Sequence, residues 1–154
     1  MTGDAYGDLS EECERALDAL QEKRPAAKLV ATQGGDWAYV SIGRVRVTEL
    51  APEFTKPDDG DNAVGIVRIP TNFPNGNPYG VVIVPPLEHA DNDGFPDQDV
   101  NHQNAQPVLD ALDDVEDVGW VSCRWRHVTI EEPEDLRKAP EVVRGLLREV
   151  AQNA

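Results

Sequence analysis

A chain of 154 residues with 40% apolar content is the size of one ordinary domain and long enough to bury a single core. Its 29 acidic residues against 14 basic ones give a net charge of -15, and ten arginines outnumber four lysines. A surface of that sign repels phosphate polyanions, and no Lys/Arg run is present to displace counterions, so neither nucleic acid nor an anionic membrane surface is expected as a partner.

The carboxylate-rich, lysine-poor balance is similar to that of proteins from salt-loving prokaryotes, where concentrated salt screens self-repulsion. On that reading most Asp and Glu form a solvated coat, and the charge reports habitat, not substrate. No stretch approaches the roughly 18 consecutive apolar residues of a membrane span, and the first residues are acidic with no hydrophobic region behind them, so a cytoplasmic protein is expected. The two cysteines, Cys13 and Cys123, have neither zinc-ligand spacing nor the density of a disulfide scaffold.

Residues 1–8 read as a flexible amino terminus and 9–151 as one domain. Ser10 can cap a helix whose first turn carries Glu11, Glu12 and Glu14, while Leu9, Cys13, Leu17 and Leu20 recur at helical spacing up to Arg24-Pro25. Cys13 then sits on the buried stripe as a small apolar side chain, with a reactive thiol as the alternative. Four segments rich in Val, Ile, Tyr and Trp follow: "KLVAT", "DWAYVSIGRVRVTEL", "NAVGIVRIP" and "YGVVIVPP". Their separators are hairpin-like and hold no crossover helix, which predicts a four-stranded antiparallel meander. Phe73-Pro74, Pro78-Tyr79 and Pro85-Pro86 bracket the last strand, because proline removes ladder donors.

From Pro85 to Gly119 the pattern becomes a long irregular region with a short helix at Pro107, Val108, Leu109 and Leu112. Loops of that length are uncommon unless functional or disordered. "WVSCRWRHV" then alternates as a strand with Val121, Cys123 and Trp125 on one face, and Pro140 opens a final amphipathic helix through Val150, with Gly145 as a local weak point.

Within the irregular region "HADNDGFPDQD" spaces Asp91, Asp93, Asp97 and Asp99 around Gly94. Alternate carboxylates can aim oxygens inward while glycine permits a sharp turn, and the nine residues resemble one calcium-binding unit of thrombospondin type 3 repeats. Calcium takes about 6–8 oxygens, and a single copy supplies few of them, so the stretch is read either as a metal loop or as solvated surface. An EF-hand register fails, since its first and twelfth positions would be His89 and Val100. His89, His102 and His127 show no helical ligand spacing. Neither a G-x-S-x-G elbow nor a phosphate-cradling G-x-x-x-x-G-K-[ST] loop is present, and no cofactor is expected.

The order of helix, meander, Phe73-Pro74, Pro85-Pro86, long flap, Trp120 and carboxy-terminal helix resembles the ubiquitin-conjugating enzyme (UBC) superfamily in its divergent prokaryotic branches. The resemblance implies an α+β fold and, as partners, a ubiquitin-like protein and its activating enzyme. Pro133-Glu134-Asp135-Leu136 resembles the family's lead into the helix after the flap. Typical members place a His-Pro-Asn turn and a nucleophilic cysteine ahead of the tryptophan; here residues 87–119 contain no cysteine. By that comparison Cys123, three residues after Trp120, takes the role of nucleophile, with His127 as its proton acceptor or charge partner. The expected function is accordingly transfer of a ubiquitin-like modifier through a Cys123 thioester, or a scaffold of the same fold without the chemistry. The alternative is a non-enzymatic acidic interaction module with a calcium-ordered loop.

Overall fold

Helix α1 spans Glu11–Lys23 and buries Cys13, Ala16, Leu17 and Leu20 at the three- and four-residue spacing read from the chain. Acidic Glu11, Glu12 and Glu14 in its first turn and Lys23 in its last complement the helix dipole. It stops where Arg24 precedes Pro25, a position that disfavours helical backbone. A computed structural model describes residues 11–33, 36–46, 62–73, 76, 78–84, 86, 98–125 and 130–152, with backbone alone at 46, 62, 123, 124 and 150–152. Leu9, Ser10 and the amino-terminal eight residues lie outside these.

The meander follows as β1 (Lys28–Gln33), β2 (Trp37–Arg46), β3 (Asn62–Pro70) and β4 (Tyr79–Val84), each antiparallel to the one before. Strand β4 opens directly after Pro78 and closes directly before Pro85, as the donor-removing effect of proline predicts. The four-stranded count needs correction, because the sheet has six strands in the order β1-β2-β3-β4-β6-β5. Strand β6 (Gly119–Arg124) pairs with β4, and the three-residue β5 (Gln98–Val100) adds to its outer side. Too short and too polar to show a period, β5 exists because β6 presents a row of unpaired backbone groups.

Both faces of this sheet are covered. On one, α1 and the closing helix α3 (Ala139–Gln152) bury Leu17, Leu20, Val143 and Leu147 against Val40, Ile42, Val67, Ile69, Val81, Ile83 and Val121. On the other, a 3-10 turn (Gln103–Ala105) and helix α2 (Gln106–Ala111, with Pro107 in its first turn) place Ala105 and Val108 over Tyr39, Ile66, Val82 and Trp120. Double coverage explains why β3 and β4 read as near-continuous apolar runs. A second 3-10 turn, Pro133–Lys138, leads into α3 and buries Pro133 and Leu136. Arg15 of α1 donates through Nη2 to both carboxylate oxygens of Glu134 on that turn, at 2.6 and 2.7 Å. The pair is exposed enough that its contribution is small.

Among the described residues no helix is long and apolar enough to cross a membrane.

Candidate functional site

The backbone of Cys123 lies in β6 at an irregularity of the sheet. Val81 pairs with Val121 but Tyr79 pairs with Arg124, so Ser122 and Cys123 together oppose the single residue Gly80. Such a β-bulge bends its strand and sharpens the local twist. Gly80 has φ +85°, a left-handed backbone that side chains with a Cβ rarely adopt. A Cβ there would also overlap the six-membered ring of Trp120. Absence of a side chain at 80 therefore lets the indole lie directly on the strand.

Trp120 is fully buried, stacked on His102 with ring centroids 5.7 Å apart, and tilted against Tyr79 at 6.4 Å. His102 is fixed in turn, since its Nδ1 accepts from the Asn104 backbone N–H at 3.0 Å and so caps the first 3-10 turn. Accepting at Nδ1 leaves the ring proton of the neutral imidazole on Nε2. Tyr79 reaches Ser122 across the bulge, their oxygens 3.1 Å apart.

Beside Trp120 sits a buried cation. Arg68 occupies the position on β3 directly across from Tyr39 of β2 and is 6% exposed. Its guanidinium lies over Trp37, with Cζ 3.8 Å from the ring centroid, and within 5.6 Å and 5.9 Å of the Trp120 and Tyr39 rings. Arg68 Nε donates to the Tyr39 hydroxyl at 3.1 Å and Nη2 to Gln33 Oε1 at 3.1 Å. The Tyr39 hydroxyl donates to the Asn104 carbonyl at 2.6 Å, and Gln33 Oε1 lies 3.1 Å from it. Burial pushes the Tyr39 hydroxyl above its ordinary 10.0, with Arg68 pulling in the opposite direction. Facing aromatic rings stabilise a desolvated guanidinium, by about 2 kcal/mol in the best cases.

Of the residues singled out from the sequence, Cys123 shares β6 with Trp120, and Asp99 of β5 pairs with Trp120 while its side chain stays exposed. His127, His89, Asp91, Asp93 and Asp97 lie outside the described residues. Among the described residues no three of His, Cys, Asp and Glu gather as metal ligands. Cys13 is buried on α1 and its thiol points at the Thr71 carbonyl at 3.3 Å. The Arg68–Tyr39–Gln33–Asn104 network went unread from the sequence. Its one legible signal is an arginine standing in the apolar run "NAVGIVRIP", two residues after Ile66 and on the same face of the strand.

No family model matches the chain, and neither a curated protein nor a solved structure does.

Proposed function

We propose that the chain is a UBC-like domain that recognises a ubiquitin-like protein as a scaffold, without forming a thioester at Cys123. The observation that carries this choice over the transfer version is the place of residue 123, inside a sheet strand between Val121 and Trp125, both of which pack on the helix-side core. A nucleophile that accepts the carboxy terminus of another protein has to be approachable and held as thiolate, and the backbone of residue 123 lies instead within the β4–β6 ladder, after the tryptophan that the family's cysteine precedes. Element order supports the UBC-like reading: α1, the antiparallel meander, the strand end before Pro85-Pro86, the return strand beginning with Gly119-Trp120, and α3. The exposed acidic surface supplies complementarity for a basic partner.

Incubation with an activating enzyme and a ubiquitin-like protein from the same source, run with and without reductant, tests the choice. The scaffold reading expects no reducible adduct and equal capture of the ubiquitin-like protein by wild type and Cys123→Ser. A thiol-sensitive adduct absent from Cys123→Ser would install the transferase in its place, and no capture by either protein would remove both.

A further inference from the structure

We propose that His102 is a pH-sensitive latch for the turn that covers Tyr39 and Trp120 on the sheet face opposite α1 and α3. The inference is independent of the ubiquitin-like reading. It stands on a competition for one lone pair. Nδ1 of His102 accepts the Asn104 backbone N–H at 3.0 Å and so caps the 3-10 turn Gln103–Ala105. The same lone pair takes the proton when imidazole becomes imidazolium, a form with donors at both ring nitrogens and no acceptor. Proton and capping bond are therefore mutually exclusive. Imidazole is the side chain that ordinarily changes charge between about pH 5 and 8, and His102 is half-buried, not sealed from water.

The bond holds more than the turn. The carbonyl of His102 accepts from the Ala105 N–H at 2.9 Å, which closes the turn, and the chain passes straight on into α2. Helix α2 has no cap of its own, because its N-cap residue is Ala105 and makes no side-chain bond. His102 is accordingly the side-chain cap for both. The residue that it caps, Asn104, also accepts the Tyr39 hydroxyl at 2.6 Å and so ties the turn to β2. Loss of the cap frees the Asn104 N–H next to that tie, beneath which Ala105 and Val108 lie over Tyr39, Ile66, Val82 and Trp120.

Nothing around the ring keeps a protonated form in place. The imidazole is stacked on Trp120, and Arg68 of β3 sits on the same indole with Cζ 5.6 Å from the centroid, so an imidazolium there meets a buried cation. No carboxylate offsets it. Among the described residues none pairs with His102, while Asp99 of β5 is exposed, Asp117 ahead of β6 is held by Asn101, and Asp110 of α2 is held by Gln106. Strands β2 and β4 bring the phenols of Tyr39 and Tyr79, and β1 bears its one charge, Lys28, at its first position.

The test follows the full chain by NMR, in salt concentrated enough to screen the acidic surface, from about pH 8 to about pH 5. Two signals are read. One is the carbon-bound ring protons of His102, assigned through His102→Asn; the other is the amide protection factors of Asn104, Ala105 and, as an internal reference, Val81, with the intrinsic pH dependence of exchange divided out. Protection at Asn104 and Ala105 is expected to fall roughly fivefold in step with titration of the ring, the factor an ordinary N-cap supplies, while Val81 stays protected. His102→Asn keeps a capping oxygen that does not titrate and should hold protection high across the range. His102→Phe keeps a ring on Trp120 without an acceptor and should be low already at the alkaline end. An Asn104 amide that stays protected while the ring titrates, the same pH response in His102→Asn, or a ring that stays neutral until Val81 loses protection as well would overturn the latch. Should His102→Phe fail to fold, wild type and His102→Asn decide between these outcomes.

Discussion

The indole of Trp120 rests on the backbone of Gly80 across the β4–β6 ladder, in the volume that any side chain at 80 would fill. Two penalties meet at this contact. Gly80→Ala forces a Cβ into a left-handed backbone and drives it into the ring, for a combined loss of about 2–4 kcal/mol. Urea denaturation should show a lower midpoint at unchanged slope. Trp120→Leu added to Gly80→Ala should restore only the steric share, because the backbone strain persists; full additivity would refute the contact.

Asn101 is the non-glycine residue with a left-handed backbone among those described, at φ 56°. Its side chain donates to Asp117 at 2.7 Å and accepts from the Val118 N–H at 2.9 Å, tying the end of β5 to the start of β6. Asn101→Ala should cost about 2–3 kcal/mol from both losses. Asn101→Gly keeps the conformation without the bonds and should recover about 1 kcal/mol of that, read from the same denaturation curves.

Gly145 lies within α3, and nothing stands within 4 Å of where its Cβ would be. Replacing it with alanine reduces unfolded-chain freedom and adds no clash. A gain of about 0.5–1 kcal/mol is expected, seen as a Tm higher by roughly 2 °C. A lower Tm would mean that α3 requires its weak point.

Asp135 accepts from the backbone N–H groups of Glu131 and Glu132 at 2.9 and 3.1 Å, and these bonds, with Lys138 beside them, hold its carboxyl below the ordinary 3.8. A depressed folded value makes the contribution complete above 3.8 and progressively lost as pH falls through the lower folded one. Asp135→Asn should therefore be less stable than wild type at neutral pH, and the difference should vanish in acid. A difference that persists below that range would place its origin elsewhere.

Tyr39 shows the opposite sign. Its raised value means that the folded chain holds the phenolic proton after the unfolded chain has released it. Stability tied to this group is full below 10.0 and falls as pH rises beyond it. Tyrosinate absorbance should reveal a late phase that Tyr39→Phe lacks, and that variant should have a flatter alkaline stability limb.

What was legible in the chain follows from periodicity and punctuation. Helices α1 and α3 announced themselves through apolar spacing and end signals, and β4 through the prolines on either side. Of the residues that strand alternation put on one face, Val121 and Trp125 both pack on the helix-side core, and the side chain of Cys123 lies outside the described residues. The bulge between them is invisible to any count of residues, because it depends on β4 as the partner and on Gly80 opposite. Strand β5 and both 3-10 turns carry no period of their own and form against structure made elsewhere. Arg68 illustrates the same limit: a lone arginine in an apolar run becomes meaningful only once the register sets it across from Tyr39, and that register shifts by one beyond Ser41.

One phenolic oxygen serves partners on three separate stretches of chain: Gln33 on the rim strand, Arg68 at the centre of the sheet and Asn104 on the returning turn, 65 residues away along the sequence from its own position. Such a junction behaves like a keystone. Deleting a single atom there would slacken three spans simultaneously, so amide exchange across the 102–105 turn and the first hairpin should accelerate together, whereas the layer beneath α1 and α3 would keep its protection.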